Sequence, residues 1–127
     1  MRTAKRRAWT RVVVWVAFVE LLTSLPGSAL PVLDLPFRYD WLAHFCLYGM
    51  LGVLLARAAR LSGWPWHRLV LVWLAISAFG VLDELHQLFI PGRSAEVSDW
   101  MMDTTGSATG IVGFMLAMRY DFWRWLI

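Results

Sequence analysis

The sequence predicts an all-α fold: a four-helix transmembrane bundle with both termini in the cytoplasm. Three observations predict it. Hydrophobic residues make up 59% of the 127 residues and charged residues only 17%, against about 45–50% and about 25% in soluble proteins. The apolar residues gather into four stretches, each close to the roughly 20 residues that a spanning helix needs. Ten of the twelve Lys and Arg residues fall on one side of those stretches. A chain of this length forms a single domain, residues 1–127.

The first stretch runs from about Ala8 to Leu25 and stops at Pro26-Gly27. Proline lacks an amide hydrogen and pushes the residue before it toward extended backbone, so a helix ends there. The second runs from Trp41 to about Ala59. The third runs from about Leu69 to Ile90 and stops at Pro91-Gly92, and the fourth from Trp100 to about Met118. Lipid offers no partners for backbone amides, so such runs are expected to be helices; the alternation of a barrel strand is absent. The connection at 26–40 carries Pro26, Pro31 and Pro36 and is expected to be extended. Ser98 or Asp99 is expected to cap the fourth helix. Cys46 lies alone inside an apolar run, so it forms no disulfide framework and is expected to be a small packing residue.

Charge sets the orientation. Arg2, Lys5, Arg6, Arg7 and Arg11 open the first helix, Arg57, Arg60 and Arg68 flank the second connection, and Arg119 and Arg124 follow the fourth helix. Only Arg38 and Arg93 lie on the other side. Cytoplasmic segments keep the excess of Lys and Arg, so both termini and the 60–67 connection are expected on the cytoplasmic side of a bacterial inner membrane. The basic start, the apolar run and Gly27-Ser28-Ala29 also suit a cleavable leader. Glu20 inside the run argues against that, and three remaining spans would place the basic tail outside. The net charge of +3 reflects this sorting and does not point to nucleic acid. The expected partner is the lipid bilayer. Trp9, Trp64, Trp66, Trp100, Trp123 and Trp125 lie at span boundaries, as an interfacial belt requires.

The acidic residues carry the functional signal. Asp121 is on the basic side; Glu20, Asp34, Asp40, Asp83, Glu84, Glu96, Asp99 and Asp103 lie in the outer connections or the outer part of a helix. Counted from the helix ends at about 1.5 Å per residue, Glu20, His44, Asp83, Glu84 and Asp103 fall about 6–12 Å inside one boundary. Asp40, His44 and Tyr48 share one helix face at i, i+4, i+8, as do Asp83 and Gln87, and Asp99 and Asp103. Glu84 sits about 100° round from Asp83 and is expected to meet a different helix. Gly106, Gly110, Gly113 and Ser107 continue the face of Asp99 and are expected to let the fourth helix approach its neighbours closely. Several carboxylates in one slab need compensation from Arg38, Arg93, His44 or His86, from shared protons, or from a cation.

Three segments resemble the VanZ-like membrane proteins. Asp40-Trp41-Leu42-Ala43-His44-Phe45 with Tyr48 is similar to their D-x-x-x-H-F-x-x-Y segment. Glu84 through Gln87, Phe89 and Pro91-Gly92-Arg93 is similar to E-x-x-Q-x-F-x-P-G-R. Asp99 through Gly106 and Gly110 is similar to D-x-x-x-N-x-x-G-x-x-x-G, with Asp103 standing where the family usually has Asn. The resemblance is strongest over 40–113. It implies a small integral membrane protein of the cell envelope, in a family named for a component associated with teicoplanin resistance, and supplies no mechanism.

Three classes of function follow from the residues. The first is an accessory protein with an outward-facing polar pocket, binding an anionic lipid or cell-wall precursor near Arg93, with Glu20, Tyr48, Gln87, Asp99 and Asp103 as further ligand-binding candidates. The second is a membrane-embedded hydrolase or transferase, with Asp40, His44, Asp83 and Glu84 as catalytic candidates. The third is a transporter or ion-coupled module, which is disfavoured unless an oligomer forms, because only the terminal Arg11 and Arg57 bring charge into the cytoplasmic half of the helices. Each has an ordinary counterpart: Asp40 and Asp99 suit helix caps, and Asp83, Glu84 and Gln87 suit interhelical hydrogen bonds. A metal among His44 and these acids is chemically reasonable but not favoured, because no compact signature such as H-E-x-x-H is present.

Overall fold

The computed structural model describes residues 1–32 and 38–120. Asp34 and Pro36 in the first connection, and Asp121, Trp123, Arg124 and Trp125 near the C-terminus, lie outside the described residues. Within them the chain is all-helical: α1 (Arg2–Thr23), α2 (Tyr39–Leu61), α3 (Leu69–Gln87) and α4 (Val97–Arg119), with 3-10 turns at Gly27–Ala29 and Trp66–Arg68. Two segments, Tyr39–Leu61 and Trp66–Gln87, are both long and apolar enough to cross a membrane. The helices α1 and α4 have comparable length, 22 and 23 residues. They fall short in composition, because α1 opens with five basic residues and the apolar run of α4 is diluted by Asp103 together with Thr, Ser and Gly.

The helix ends follow local chemistry. Before Pro26, α1 stops at Thr23. At the end of α2, Gly63 takes φ +88°, its amide bonds the Arg60 carbonyl at 3.0 Å and the Trp64 amide bonds the Ala59 carbonyl at 3.0 Å. That pair of bonds with a left-handed glycine is the Schellman termination. The Pro91-Gly92 turn, with Gly92 at φ +74°, closes α3 and receives the Gly27 amide on the Pro91 carbonyl at 2.8 Å. This bond pins the two acidic-end connections together.

Three expectations are corrected here. The residues before Pro31 are not wholly extended, because Gly27–Ala29 makes a 3-10 turn. Glu96, not Ser98 or Asp99, holds the N-cap of α4, without a side-chain bond to the helix. The helix starts earlier than the apolar run suggests, so Ser98 and Asp99 fall in its first turn, where Ser98 Oγ donates to Glu96 Oε2 at 3.2 Å instead. Cys46 is exposed. It shares the outer face of α2 with Leu42 and Met50, while His44, Tyr48, Leu51 and Gly52 face inward.

Packing is tightest between α2 and α4. A Cβ on Gly106 would strike the Phe45 backbone, on Gly110 the Gly49 carbonyl, and on Gly52 the Ser107 carbonyl. Small residues thus let two backbones touch, as expected. Gly113 is the exception and faces open space. Indole groups add cross-links: Trp15 Nε1 donates to the Leu47 carbonyl at 2.9 Å, Trp73 Nε1 to Thr104 at 2.9 Å and Trp100 Nε1 to Ser77 at 3.1 Å. The apolar core, which includes Leu51, Ala56, Leu69, Val72, Ile76, Ile111 and Phe114, fills the half of the assembly near the basic helix ends.

Candidate functional site

The opposite half is polar inside. The C-terminal part of α3 and the N-terminal parts of α2 and α4 bury His44, Tyr48, Asp83, Glu84, Gln87, Asp99 and Asp103. Helical periodicity brings them together: each stands at i, i+3 or i+4 from another on the inward stripe of its helix.

His44 is the hub. Its Nδ1 lies 2.8 Å from Asp103 Oδ1 and its Nε2 lies 3.7 Å from Asp99 Oδ2. Glu84 closes the third side, with one His44 nitrogen and one oxygen each of Glu84 and Asp103 all within 4.8 Å of one another. The Glu84 carboxylate also accepts from the Glu96 amide at 2.9 Å and from Gln87 Nε2 at 3.4 Å. Asp103 packs on Gly80 of α3, where a Cβ would come within 3.1 Å of Oδ2.

Asp83 turns to the other side of α3, as the 100° offset from Glu84 requires. Tyr48 donates to its Oδ2 at 3.1 Å. Its neighbours toward α1 are Glu20 and His86, whose closest approach to each other is 3.9 Å. Buried Asp83 Oδ1, His86 Nδ1, Asp99 Oδ1 and Asp103 Oδ2 have no hydrogen-bond partner among the described residues. Such atoms are uncommon because leaving one unpaired costs about 1–3 kcal/mol.

Two candidates stand apart from the hub. Asp40 is half-buried at the mouth, where Arg38 binds it and reaches Glu96 Oε2 at 2.9 Å. The hydrogen bonds to Asp40 and Glu96 raise the pKa of the Arg38 guanidinium above its ordinary value. Arg93 turns inward, donating to Gln87 Oε1 at 3.1 Å and toward the Leu25 carbonyl at 3.5 Å. In this arrangement it ties the α3–α4 connection to the end of α1.

Beside the hub lies a cleft of about 310 Å³ lined by Val81, Glu84, Leu85, Ala95, Glu96, Val97 and Trp100. It meets the polar cluster only at Glu84 and Glu96, and its remaining walls are apolar.

Sequence reasoning did not single out Glu96 or Gly80 as site residues. Glu96 bonds Glu84 through its amide and Arg38 through its carboxylate, and only the first of these depends on its position rather than its charge. Gly80, four residues before Glu84 on α3, was the available signal for close packing.

A family model described as VanZ/LLP1 matches residues 4–118. The chain belongs to the VanZ/LLP1 family. The VanZ/LLP1 match runs through all four helices and so extends well beyond the 40–113 segment of strongest resemblance. No curated protein and no solved structure matches the chain. In this VanZ/LLP1 chain the three resembling segments supply the hub: His44 from the first, Glu84 and Gln87 from the second, Asp99 and Asp103 from the third.

Proposed function

We propose that this VanZ/LLP1 protein is a multi-pass protein of the bacterial cytoplasmic membrane, with four spanning helices and both termini cytoplasmic. It acts in the cell envelope as an accessory protein that holds an amphiphilic, lipid-linked anionic ligand at its outer end. The observation that carries this reading is the inverted distribution of polarity. Asp83, Gln87, Asp99, Asp103 and Ser107 are buried, while Val13, Phe18, Leu42, Leu71, Leu82, Leu85 and Val112 are exposed. In water that arrangement would leave a broad apolar surface bare; in lipid the apolar surface is solvated and the polar side chains are kept away from the hydrocarbon.

Supporting it, helices of 22 or 23 residues extend about 33–35 Å, enough for a hydrocarbon layer of about 30 Å. The charges that keep α1 and α4 from passing as isolated spans lie at helix ends or face inward, where a bundle tolerates them. Exposed Trp9, Trp64 and Trp66 stand with Arg60 and Arg68 at one end, as cytoplasmic interface anchors would. For the ligand, the cleft walls Val81, Leu85, Val97 and Trp100 suit an acyl or prenyl chain, and two cations connect to the cleft through its acidic walls: Arg38 through Glu96, and Arg93 through Gln87 and Glu84. A role resembling teicoplanin resistance is the physiological form of this proposal: a held cell-wall precursor alters how a glycopeptide meets its target.

Topology is tested with single cysteines in a Cys46→Ala background. An impermeant maleimide labels Ser94→Cys in intact cells, and Ser62→Cys only after permeabilisation. The reverse pattern, or labelling of both, refutes the orientation. Ligand binding is tested by melting the protein in micelles with a polyprenyl phosphate or with phosphatidylglycerol. The polyprenyl phosphate raises Tm further, and Trp100→Ala and Arg93→Gln reduce that shift. Equal shifts, or none, refute lipid-linked ligand selectivity.

A further inference from the structure

We propose that Glu20 of α1, with Asp83 and His86 of α3, forms a site for one divalent transition-metal ion of the manganese or zinc type, in the groove between the two helices. The site shares no residue with the cleft beside Glu84 and stands independently of the ligand proposed above.

The sequence prepares two of the donors. Asp83 and His86 stand at i, i+3, so both side chains leave one face of α3. A carboxylate and an imidazole at that spacing, met by a glutamate from a second helix, is a recurring way to build a metal centre in a helical bundle. The fold supplies the glutamate. One oxygen of Glu20, one oxygen of Asp83 and one nitrogen of His86 all lie within 4.8 Å of one another. Two ligands about 2.1 Å from an ion stand at most about 4.2 Å apart. The side chains of Glu20 and His86 are 38% and 40% exposed, which leaves them room to close the remaining few tenths of an ångström.

The unpaired atoms are the independent observation. His86 Nδ1 is buried and lies 3.9 Å from Glu20 Oε2, with no hydrogen-bond partner among the described residues. That separation is too long for a hydrogen bond, yet it suits two atoms sharing an ion. Asp83 is 1% exposed, and its Oδ1 is likewise unpartnered among the described residues. Arg93 reaches the same ends of α1 and α3, but it donates to Gln87 Oε1 and toward the Leu25 carbonyl, not to either carboxylate. Two ionised carboxylates exceed the single charge that an imidazolium returns. A divalent ion would neutralise them and occupy the unpaired imidazole nitrogen at once.

The surroundings suit a metal centre. Tyr48 donates to Asp83 Oδ2 and fixes the rotation of that carboxylate, as the outer partners of metal ligands do. The imidazole in the set favours manganese or zinc over calcium, which prefers oxygen alone. Three protein ligands leave the remaining coordination positions to water.

The test uses the full-length protein in detergent micelles, in a Cys46→Ala background so that an exposed thiol cannot bind zinc. After chelation, manganese and zinc are titrated while Tm and bound metal are measured. The expected result is one ion per chain and a saturable rise in Tm. Glu20→Gln and His86→Gln each weaken binding by at least about tenfold. Both side chains are partly exposed and make no hydrogen bond among the described residues, so the two variants fold like the parent. Asp99→Asn, in the separate cluster around His44, leaves the affinity unchanged. Manganese-loaded parent protein shows nitrogen coupling in its pulsed EPR spectrum, and His86→Gln loaded at high manganese does not. No saturable binding of either ion, binding that survives both Glu20→Gln and His86→Gln, binding lost in Asp99→Asn instead, or nitrogen coupling that persists in His86→Gln would overturn the site.

Discussion

The two ends of α3 are built on opposite principles. Its buried stripe is Leu69, Val72 and Ile76 before Gly80, and Asp83, Glu84 and Gln87 after it. Running the other way, α4 buries Asp99, Asp103 and Ser107 first, then Ile111 and Phe114. The polar halves meet polar halves, and the apolar halves meet apolar ones. One half is held by packing, the other by hydrogen bonds that leave four buried atoms unpaired among the described residues. The difference supports the proposed ligand-holding role of the polar half, because apolar side chains on the same stripe would also satisfy the fold.

That comparison can be broken by substitution in chelator-treated protein, with stability read from unfolding in micelles. The largest effect is expected from Gly110→Val, whose side chain would collide with the Gly49 backbone; it should lose more than about 4 kcal/mol or fail to fold. Gly113→Ala, one turn on and facing open space, should stay within about 0.5 kcal/mol of wild type. A similar loss at both sites would refute the close α2–α4 contact.

Next comes the apolar half, where Ile76→Ala should cost about 2–4 kcal/mol through the cavity it leaves. In the polar half, Asp103→Asn keeps shape while removing a buried charge, so it should change stability by under about 1 kcal/mol, in either direction. If Asp103→Asn proves as damaging as Ile76→Ala, the polar cluster is structural and the contrast between the halves fails.

Tyr48→Phe should cost about 1–2 kcal/mol, because it leaves Asp83 with no partner among the described residues. The smallest effect is expected at the mouth. Arg38→Ala breaks an exposed pairing with Asp40 and Glu96 and should leave the unfolding transition unchanged within error. A clear loss there would mean that the mouth belongs to the cluster rather than to its surface.

Much of the site was legible because helical spacing is a local rule. His44 and Tyr48, Asp83 and Gln87, and Asp99 and Asp103 could be placed on shared faces from numbers alone. The 100° step from Asp83 to Glu84 foretold that they would serve different neighbours, Tyr48 with the α1 side and the α4 terminus respectively. Cys46, Gly113 and the cap of α4 were misplaced for a different reason. An apolar or small residue carries no mark of which face looks inward, and a cap depends on where the preceding loop leaves the chain.

The sequence by itself determined four helices, their approximate limits, and the sorting of basic from acidic ends, since each follows from composition and periodicity along one chain. Only tertiary structure decided that His44 pairs with Asp103 rather than Asp83, that Arg93 turns in to Gln87, and that Asp40 stays at the rim with Arg38. Those choices depend on the rotation of each helix about its axis and on how closely two backbones approach. Both are set by contacts such as Gly110 on Gly49, between residues 61 positions apart.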